Sequence, residues 1–149
     1  MRNKTFSIKD VDTLRYRPTK TADDFLSDLR SFLGLADKAT AARLAVGRSL
    51  YHGNVDLESA RAELEQVERG TAIQGMHLFG DHTTAWACAV AASVPSPVTS
   101  EGDLRSLIEF HWHRGATLLE SDWLEAERSQ TEFVVHLAGR LSTVAALAR

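Results

Sequence analysis

The spacing of apolar residues between positions 103 and 123 predicts the longest helix of the chain. Apolar and small residues recur there at the i, i+3, i+4, i+7 spacing that places side chains on one face of an α-helix. This face comprises Leu104, Leu107, Ile108, His111, Gly115, Leu118, Leu119 and Asp122. Ser100 and Asp103 have the spacing of a capping box, whose side chains accept the first free backbone N–H groups.

The same helix leads to two further expectations. A glycine costs about 1 kcal/mol relative to alanine inside a helix. We therefore expect Gly115 to allow close contact with another helix, either the Ala-rich stretch 83–94 or a second copy of the chain. The residues that lie off the apolar face are predicted to be exposed; they are Arg105, Glu109, His113 and Glu120.

Shorter stretches of helical periodicity surround this segment. The predicted helices cover residues 21–33, 40–51, 56–68, 81 or 83 to 94, 103–123 and 131–147. Leu14 and Tyr16 alternate with polar residues, which indicates a short strand before Pro18. Residues 2–12 are interpreted as a polar arm or weak strand, and residues 70–82 as a loop or small hairpin. The predicted fold is all-α, a compact bundle of about six helices with a possible short N-terminal strand.

Length and composition agree with one domain spanning residues 1–149. A chain of 149 residues can bury one core, but not two large ones. No apolar run approaches the roughly 20 residues of a membrane-spanning helix, and the N-terminus lacks the apolar region of a signal peptide. The sequence therefore predicts a cytoplasmic protein without a membrane partner.

Charge is distributed unevenly along the chain. The net charge is −3, but residues 1–50 contain ten Lys/Arg against six Asp/Glu, whereas residues 51–149 contain seven against fourteen. All four lysines lie in the first third. A polyanion would therefore meet the N-terminal part of the protein. An ordinary surface with uneven charge is the alternative interpretation.

The sequence around His111 and His113 does not have the spacing of a helical metal site. Side chains two residues apart on a helix point away from each other, and the helical zinc pattern needs two histidines four residues apart. We predict that His111 is a buried histidine with a backbone hydrogen-bond partner, that His113 and Glu109 form a surface pair, and that no metal is bound. The remaining candidate ligands are His77, Asp81 and His82.

Catalytic patterns are also weak. Three glycines five residues apart lack the Lys-Ser/Thr of a phosphate-binding loop; they are Gly70, Gly75 and Gly80. Asp81-His82 with Cys88 or Ser93 does not define a nucleophile arrangement, and Cys88 among Ala and Val is predicted to be a buried, inert thiol. We predict no enzymatic activity, no catalytic residues and no cofactor.

The N-terminal third has the element order of a ribbon-helix-helix DNA-binding unit. A short strand with Arg15 and Arg17 precedes two helices joined at a glycine. In that class, strands from two subunits pair and enter the major groove. Pro18 and the roughly hundred residues that follow the unit count against this docking mode.

Several segments in this order resemble the DndE family, the small helical proteins of bacterial DNA sulfur-modification (phosphorothioation) systems. The resemblance spans roughly residues 12–120. Its closest part is the helix segment Leu104-Arg105 followed by His113-Arg114-Gly115-Ala116-Thr117-Leu118-Leu119. The other matching segments are LRYRPTKTADDFLSDLRSFLGL at 14–35, Arg43-Leu44-Ala45 with Ser49-Leu50, and MHLFGD at 76–81. Helix 56–68 and residues 124–149 look like additions to the family pattern.

The resemblance implies a non-enzymatic, homo-oligomeric accessory protein with a single helical domain. It implies binding to double-stranded or nicked DNA beside sulfur-modification or ATPase partner proteins. Because positive charge is concentrated near the N-terminus, the candidate DNA-binding residues are Arg15, Arg17, Lys20, Lys38, Arg43 and Arg48. The acidic C-terminal two-thirds leaves an alternative open, a protein-interaction adaptor with the same helical fold and no DNA binding.

Overall fold

The computed structural model describes residues 7–147, of which the side chains of residues 8, 9 and 141–147 are not described. Six helices of nine residues or more dominate this part of the chain, so the predicted mostly helical bundle with a short N-terminal strand is confirmed. The helices are α1 (Lys20–Leu33), α2 (Lys38–His52), α3 (Leu57–Glu65), the short α4 (Gly75–Phe79), α5 (Thr83–Ala91), α6 (Glu101–Glu125) and α7 (Gln130–Leu147). The strands are β1 (Arg15–Tyr16) and β2 (Ile73–Gln74), and short 3-10 helices cover Ile8–Asp12 and Gly80–His82.

Helix α6 is the centre of the bundle, with α1, α2, α3, α5 and α7 packed around it. Its apolar face is buried as predicted, except for the half-buried Leu118. Burial also extends around the helix between Leu107 and Trp112, where every residue is buried. The prediction that Glu109 is exposed is therefore wrong, because other elements cover this part of α6 on all sides.

The helix that contacts Gly115 is α2. A Cβ atom on Gly115 would overlap the carbonyl group of Ala45 and lie 2.9 Å from the Ala45 Cα. The expected close contact is therefore present, but its partner is neither stretch 83–94 nor a second copy. Ala41, Ala42 and Ala45 are all buried, and such small side chains let two helix backbones approach each other.

Side-chain caps fix the helix starts at positions slightly different from those predicted. Thr19, rather than Thr21, accepts a hydrogen bond from the Ala22 backbone N–H and caps α1. Asp37 and Asp56 cap α2 and α3 in the same way. Ser100 accepts from the Asp103 N–H, as the capping-box spacing predicted. A polar side chain at such a position contributes about 1 kcal/mol.

The N-terminal segment is part of the core. Residues 1–6 of the predicted arm lie outside the described residues, but Ile8–Asp12 forms a 3-10 helix and Val11 is fully buried. Strand β1 pairs antiparallel with β2 of the same chain, with Arg15 opposite Gln74. A Cβ on Gly75 would overlap the Val11 carbonyl oxygen, so this glycine allows β2 to lie against the segment before β1.

A buried ion pair connects α2, α6 and α7. Arg48 Nε lies 2.7 Å from Asp122 Oδ2, and both side chains are almost completely buried. Arg140 and His136 of α7 also contact Asp122, at 3.0 and 3.2 Å. Removing one member of such a pair leaves an uncompensated buried charge, which typically costs about 3–5 kcal/mol.

None of the helices in residues 7–147 combines the length and the apolar character needed to cross a membrane.

We predict that Gly115→Ala destabilises the protein by about 3 kcal/mol or more, because the added methyl group meets the backbone of α2 rather than a movable side chain. Gly139→Ala in α7 is the matched control, since Gly139 is exposed and no described atom outside its own stretch of helix lies within 4 Å of its Cβ position. That change should stabilise by about 0.4–1 kcal/mol through the unfolded chain. Chemical denaturation of both variants measures the difference. A stabilised Gly115→Ala would mean that α2 and α6 do not approach as described.

Candidate nucleic-acid interface

Four arginines surround a surface cleft of about 460 Å³ at the N-terminal end of α6. They are Arg15 and Arg17 from β1 and its continuation, Arg69 from the loop before β2, and Arg105 from α6. We call this feature the arginine cleft.

Backbone pairing brings the two arginine-bearing segments together. Thr19 and Arg69 form an antiparallel bridge, next to the β1–β2 pair. The Gly70 N–H donates to the Pro18 carbonyl at 2.8 Å, and the Lys20 N–H donates to the Glu68 carbonyl at 2.7 Å. These bonds hold residues 68–70 against residues 17–20.

Hydrogen bonds within the arginine cleft connect both segments to α6. The Arg17 backbone N–H donates to Glu109 Oε2 at 2.6 Å, and its Nε donates to the Gly70 carbonyl at 3.1 Å. Arg69 donates to the Arg17 carbonyl at 3.2 Å and lies 3.5 Å from Glu109 Oε1. The cleft is therefore built on a buried acceptor in α6 and is not a set of independent surface side chains.

Glu109 is the one acidic residue among those that line the cleft in the described part of the chain. Burial raises the pKa of its carboxyl group, while the Arg17 N–H and the charges of Arg69 and Arg105 oppose that shift. Four guanidinium groups face one carboxylate, so the lining carries excess positive charge. Arg15 and Arg17 remain exposed, and Arg105 is partly exposed.

The six predicted DNA-binding residues do not form one surface. Arg15 and Arg17 meet in the cleft, whereas Lys20 and Lys38 lie 2.9 Å from Asp24 and Asp23, respectively. Of the remaining two, Arg43 donates to the Leu78 carbonyl at 2.8 Å. Arg48 is buried against Asp122. It is therefore not accessible to a phosphate group and is not a candidate DNA-binding residue.

Sequence reasoning did not include Arg69 and Arg105 among the DNA-binding candidates. Arg105 belongs to a motif of the family resemblance, which was a usable signal. Arg69 lies more than 50 positions after Arg15, and only the pairing of β1 with β2 brings them together. No local sequence pattern marks it.

His111 is buried as predicted, but its partners are side chains. Its Nδ1 hydrogen-bonds with Ser49 Oγ at 2.8 Å, and its Nε2 with Ser93 Oγ at 2.7 Å. Burial, with a smaller effect of the Arg114 charge, lowers the pKa of His111 to about 4. The prediction of a backbone partner is wrong, and the neutral ring serves as a polar link between α2, α6 and the segment that follows α5.

His113 does not form the predicted surface pair with Glu109. Its Nδ1 hydrogen-bonds with Thr19 Oγ1 at 2.8 Å, and its Nε2 lies 3.3 Å from Glu63 Oε1. His111 and His113 therefore contact different elements, as their spacing of two residues on a helix requires.

The structure also shows the surroundings of the two residues considered as possible nucleophiles, Cys88 and Ser93. Cys88 is exposed, so the prediction of a buried thiol is wrong. Ser93 is bonded to His111 rather than placed with Asp81 and His82.

One group of possible metal ligands occurs among the described residues, at the contact of α6 and α7. Asp122, Glu125 and His136 have ligand atoms within 4.8 Å of one another. Asp122 already accepts hydrogen bonds from Arg48 and Arg140. Two neighbouring guanidinium groups oppose the binding of a cation, so we do not assign a metal to this group.

Comparison of the chain with family models, with curated proteins and with solved structures gave no match. The resemblance to DndE proteins therefore depends on the sequence segments described above, and the site has to be judged on its own geometry.

We predict that His111 makes the protein less stable in mild acid. The unfolded chain takes up a proton near the ordinary pKa of 6.5, whereas the folded protein resists protonation until about pH 4. The contribution to stability is thus complete above pH 6.5 and is lost as the pH falls towards 4, by about 1.4 kcal/mol per pH unit.

His111→Gln should remove this part of the pH dependence, because glutamine does not titrate in this range. The measurement is the free energy of unfolding at several pH values. His77→Gln, at an exposed position in α4, controls for the loss of one histidine. If the unfolding free energy of wild type and of His111→Gln depended equally on pH, the buried and neutral state assigned to His111 would be contradicted.

Proposed function

We propose that this chain is a non-enzymatic DNA-binding subunit of a DNA sulfur-modification or related anti-phage defence assembly, similar to DndE proteins. The observation that carries the proposal is the arginine cleft, which groups four guanidiniums around one carboxylate. Three of its members, Arg15, Arg17 and Arg105, belong to segments that resemble the family.

The cleft has the chemistry needed for contact with a DNA backbone. Guanidinium groups bind phosphate oxygens through paired N–H donors, which gives stronger and more directional contacts than a point charge. Phosphate contacts position a protein on DNA without reading its sequence. We therefore propose binding to double-stranded or nicked DNA with little sequence preference, with Lys20 as an exposed flanking contact.

The charge of the remaining chain restricts how DNA can lie. Residues 51–149 carry an excess of acidic groups, which repel a polyanion from most of the surface. DNA would then contact the β1–β2 side of the protein.

A second candidate function, a protein-interaction adaptor, has its own supporting observation. Leu124, Val134 and Val135 are each more than half exposed on α6 and α7. Exposed apolar groups of this kind suit contact with another protein, such as a second copy or a sulfur-modification or ATPase partner. The two functions are compatible, because none of these three residues lines the arginine cleft.

We predict that DNA affinity depends steeply on salt. Neutralising about four phosphates gives a slope of log affinity against log salt concentration of roughly −3 to −4, at about −0.9 per contact. Fluorescence anisotropy with a short labelled duplex, intact or nicked, between about 50 and about 200 mM salt measures the slope. Absence of binding at low salt would leave the adaptor function, and binding that persists at high salt would contradict the phosphate mechanism.

Two substitutions in the cleft should change the affinity in opposite directions. Arg15→Ala removes one phosphate contact and should make the salt slope less steep by about one. Glu109→Gln removes the opposing charge while its amide oxygen can still accept from the Arg17 N–H, so DNA affinity should rise.

Arg128→Asn is the matched control for the loss of one arginine. Arg128 lies in the α6–α7 turn at a φ of 59°, a backbone conformation that asparagine tolerates. If Arg128→Asn weakened DNA binding as much as Arg15→Ala does, overall charge and not the cleft would drive binding.

A further inference from the structure

A second cavity of about 540 Å³ lies between α2, α5, α6 and α7. Its size is in the range of pockets for small organic ligands. Most of its wall is apolar and comes from Leu35, Leu44, Trp86, Leu119 and Leu137. Gly47 leaves room beside the Trp86 ring, whose nearest atom would be 3.7 Å from a Cβ at that position.

The charged residues in this wall all have the same sign. Arg43, Arg48 and Arg140 line the cavity, and no aspartate or glutamate is among its described lining residues. Arg43 donates to two neutral acceptors, the Leu78 carbonyl and the Thr40 hydroxyl. Its guanidinium therefore has no carboxylate among its hydrogen-bond partners in the described part of the chain.

The other two arginines share one carboxylate. Arg48 and Arg140 both donate to Asp122, and a second carboxylate, that of Glu125, lies within 4.8 Å of it. Arg43 is therefore the lining arginine that has only neutral hydrogen-bond partners among the described residues. A carboxylate in the cavity would supply a charged partner for it.

We propose that this cavity binds a small amphipathic carboxylate, with its hydrocarbon chain against the leucines and Trp86 and its carboxylate against Arg43. A carboxylate accepts several hydrogen bonds and matches the planar donor edge of a guanidinium. The apolar wall requires the remainder of the ligand to be hydrocarbon. This site is separate from the arginine cleft and does not depend on DNA binding.

Decanoate, used below its micelle-forming concentration, is a suitable probe of the full-length protein, and decanol has a chain of the same length without the charge. Calorimetry should show that decanoate binds with at least about tenfold higher affinity than decanol, the effect of a charge-assisted contact. The Trp86 indole signal in an NMR spectrum should shift on decanoate binding. The signal of Trp123, which is stacked on Phe32 elsewhere in the core, should stay in place.

Arg43→Gln should lower decanoate affinity about tenfold and leave decanol affinity unchanged, since it removes only the charge-assisted contact. Arg128→Asn, outside the cavity, should change neither. Equal affinities of the wild-type protein for decanoate and decanol, or a shift of both tryptophan signals together, would overturn the proposal. The comparison of decanoate with decanol uses the wild-type protein, so it tests the proposal even if Arg43→Gln does not fold.

Discussion

The close approach of α2 and α6 is the constraint on which the remaining structure depends. Gly115 lies against the Ala45 carbonyl with no room for a side chain. Three polar links join the same two helices, namely Arg48 to Asp122, Ser49 to His111, and Arg114 to the Ser49 hydroxyl and carbonyl. Hydrogen bonds and ion pairs need heavy atoms within about 3 Å, so these links require the spacing that Gly115 permits.

Burial of α6 also explains why its buried ionisable residues have hydrogen-bond partners. A buried polar group without a partner costs about 1–3 kcal/mol. His111 has a serine at each ring nitrogen, Asp122 has guanidinium donors, and Glu109 accepts from the segment after β1. The last of these contacts has a functional consequence, because it attaches the N-terminal segment to α6 and so assembles the arginine cleft.

The two positively charged sites lie at different levels along α6. Arg105 and Glu109 line the cleft, while Leu119 lines the apolar cavity. At a rise of 1.5 Å per residue, these levels are separated by roughly 15–20 Å along the helix axis. The cleft is lined mostly by arginines from the two paired segments and from α6, which suits an extended polyanion. The cavity is apolar and formed by helices, which suits a compact ligand.

Local sequence patterns are enough to predict the six longer helices. Periodic apolar residues, the Ser100 cap and the terminal Gly34 each act over one or two helical turns, so these helices are located to within a few residues. The interpretation of residues 70–82 as a loop or small hairpin is wrong in part, because this stretch contains β2 and the short helix α4. The candidate site was predicted only in part: Arg15 and Arg17 were identified from local charge. Arg48 was misassigned, because a lone arginine on a helix gives no sign of a partner 74 positions later.

The burial of the polar residues and the partners they contact depend on the tertiary structure. The predictions for Glu109 and His113 follow from the apolar face of α6, and the prediction for Cys88 from its Ala and Val neighbours. Such reasoning fails where several elements cover a helix on all sides, as at Glu109, or where one side of an apolar helix stays exposed, as at Cys88. Arg69 joined the cleft through strand pairing across more than 50 residues. Side-chain periodicity depends on the local backbone, whereas burial and charge pairing depend on contacts between distant segments, and those contacts exist only in the folded chain.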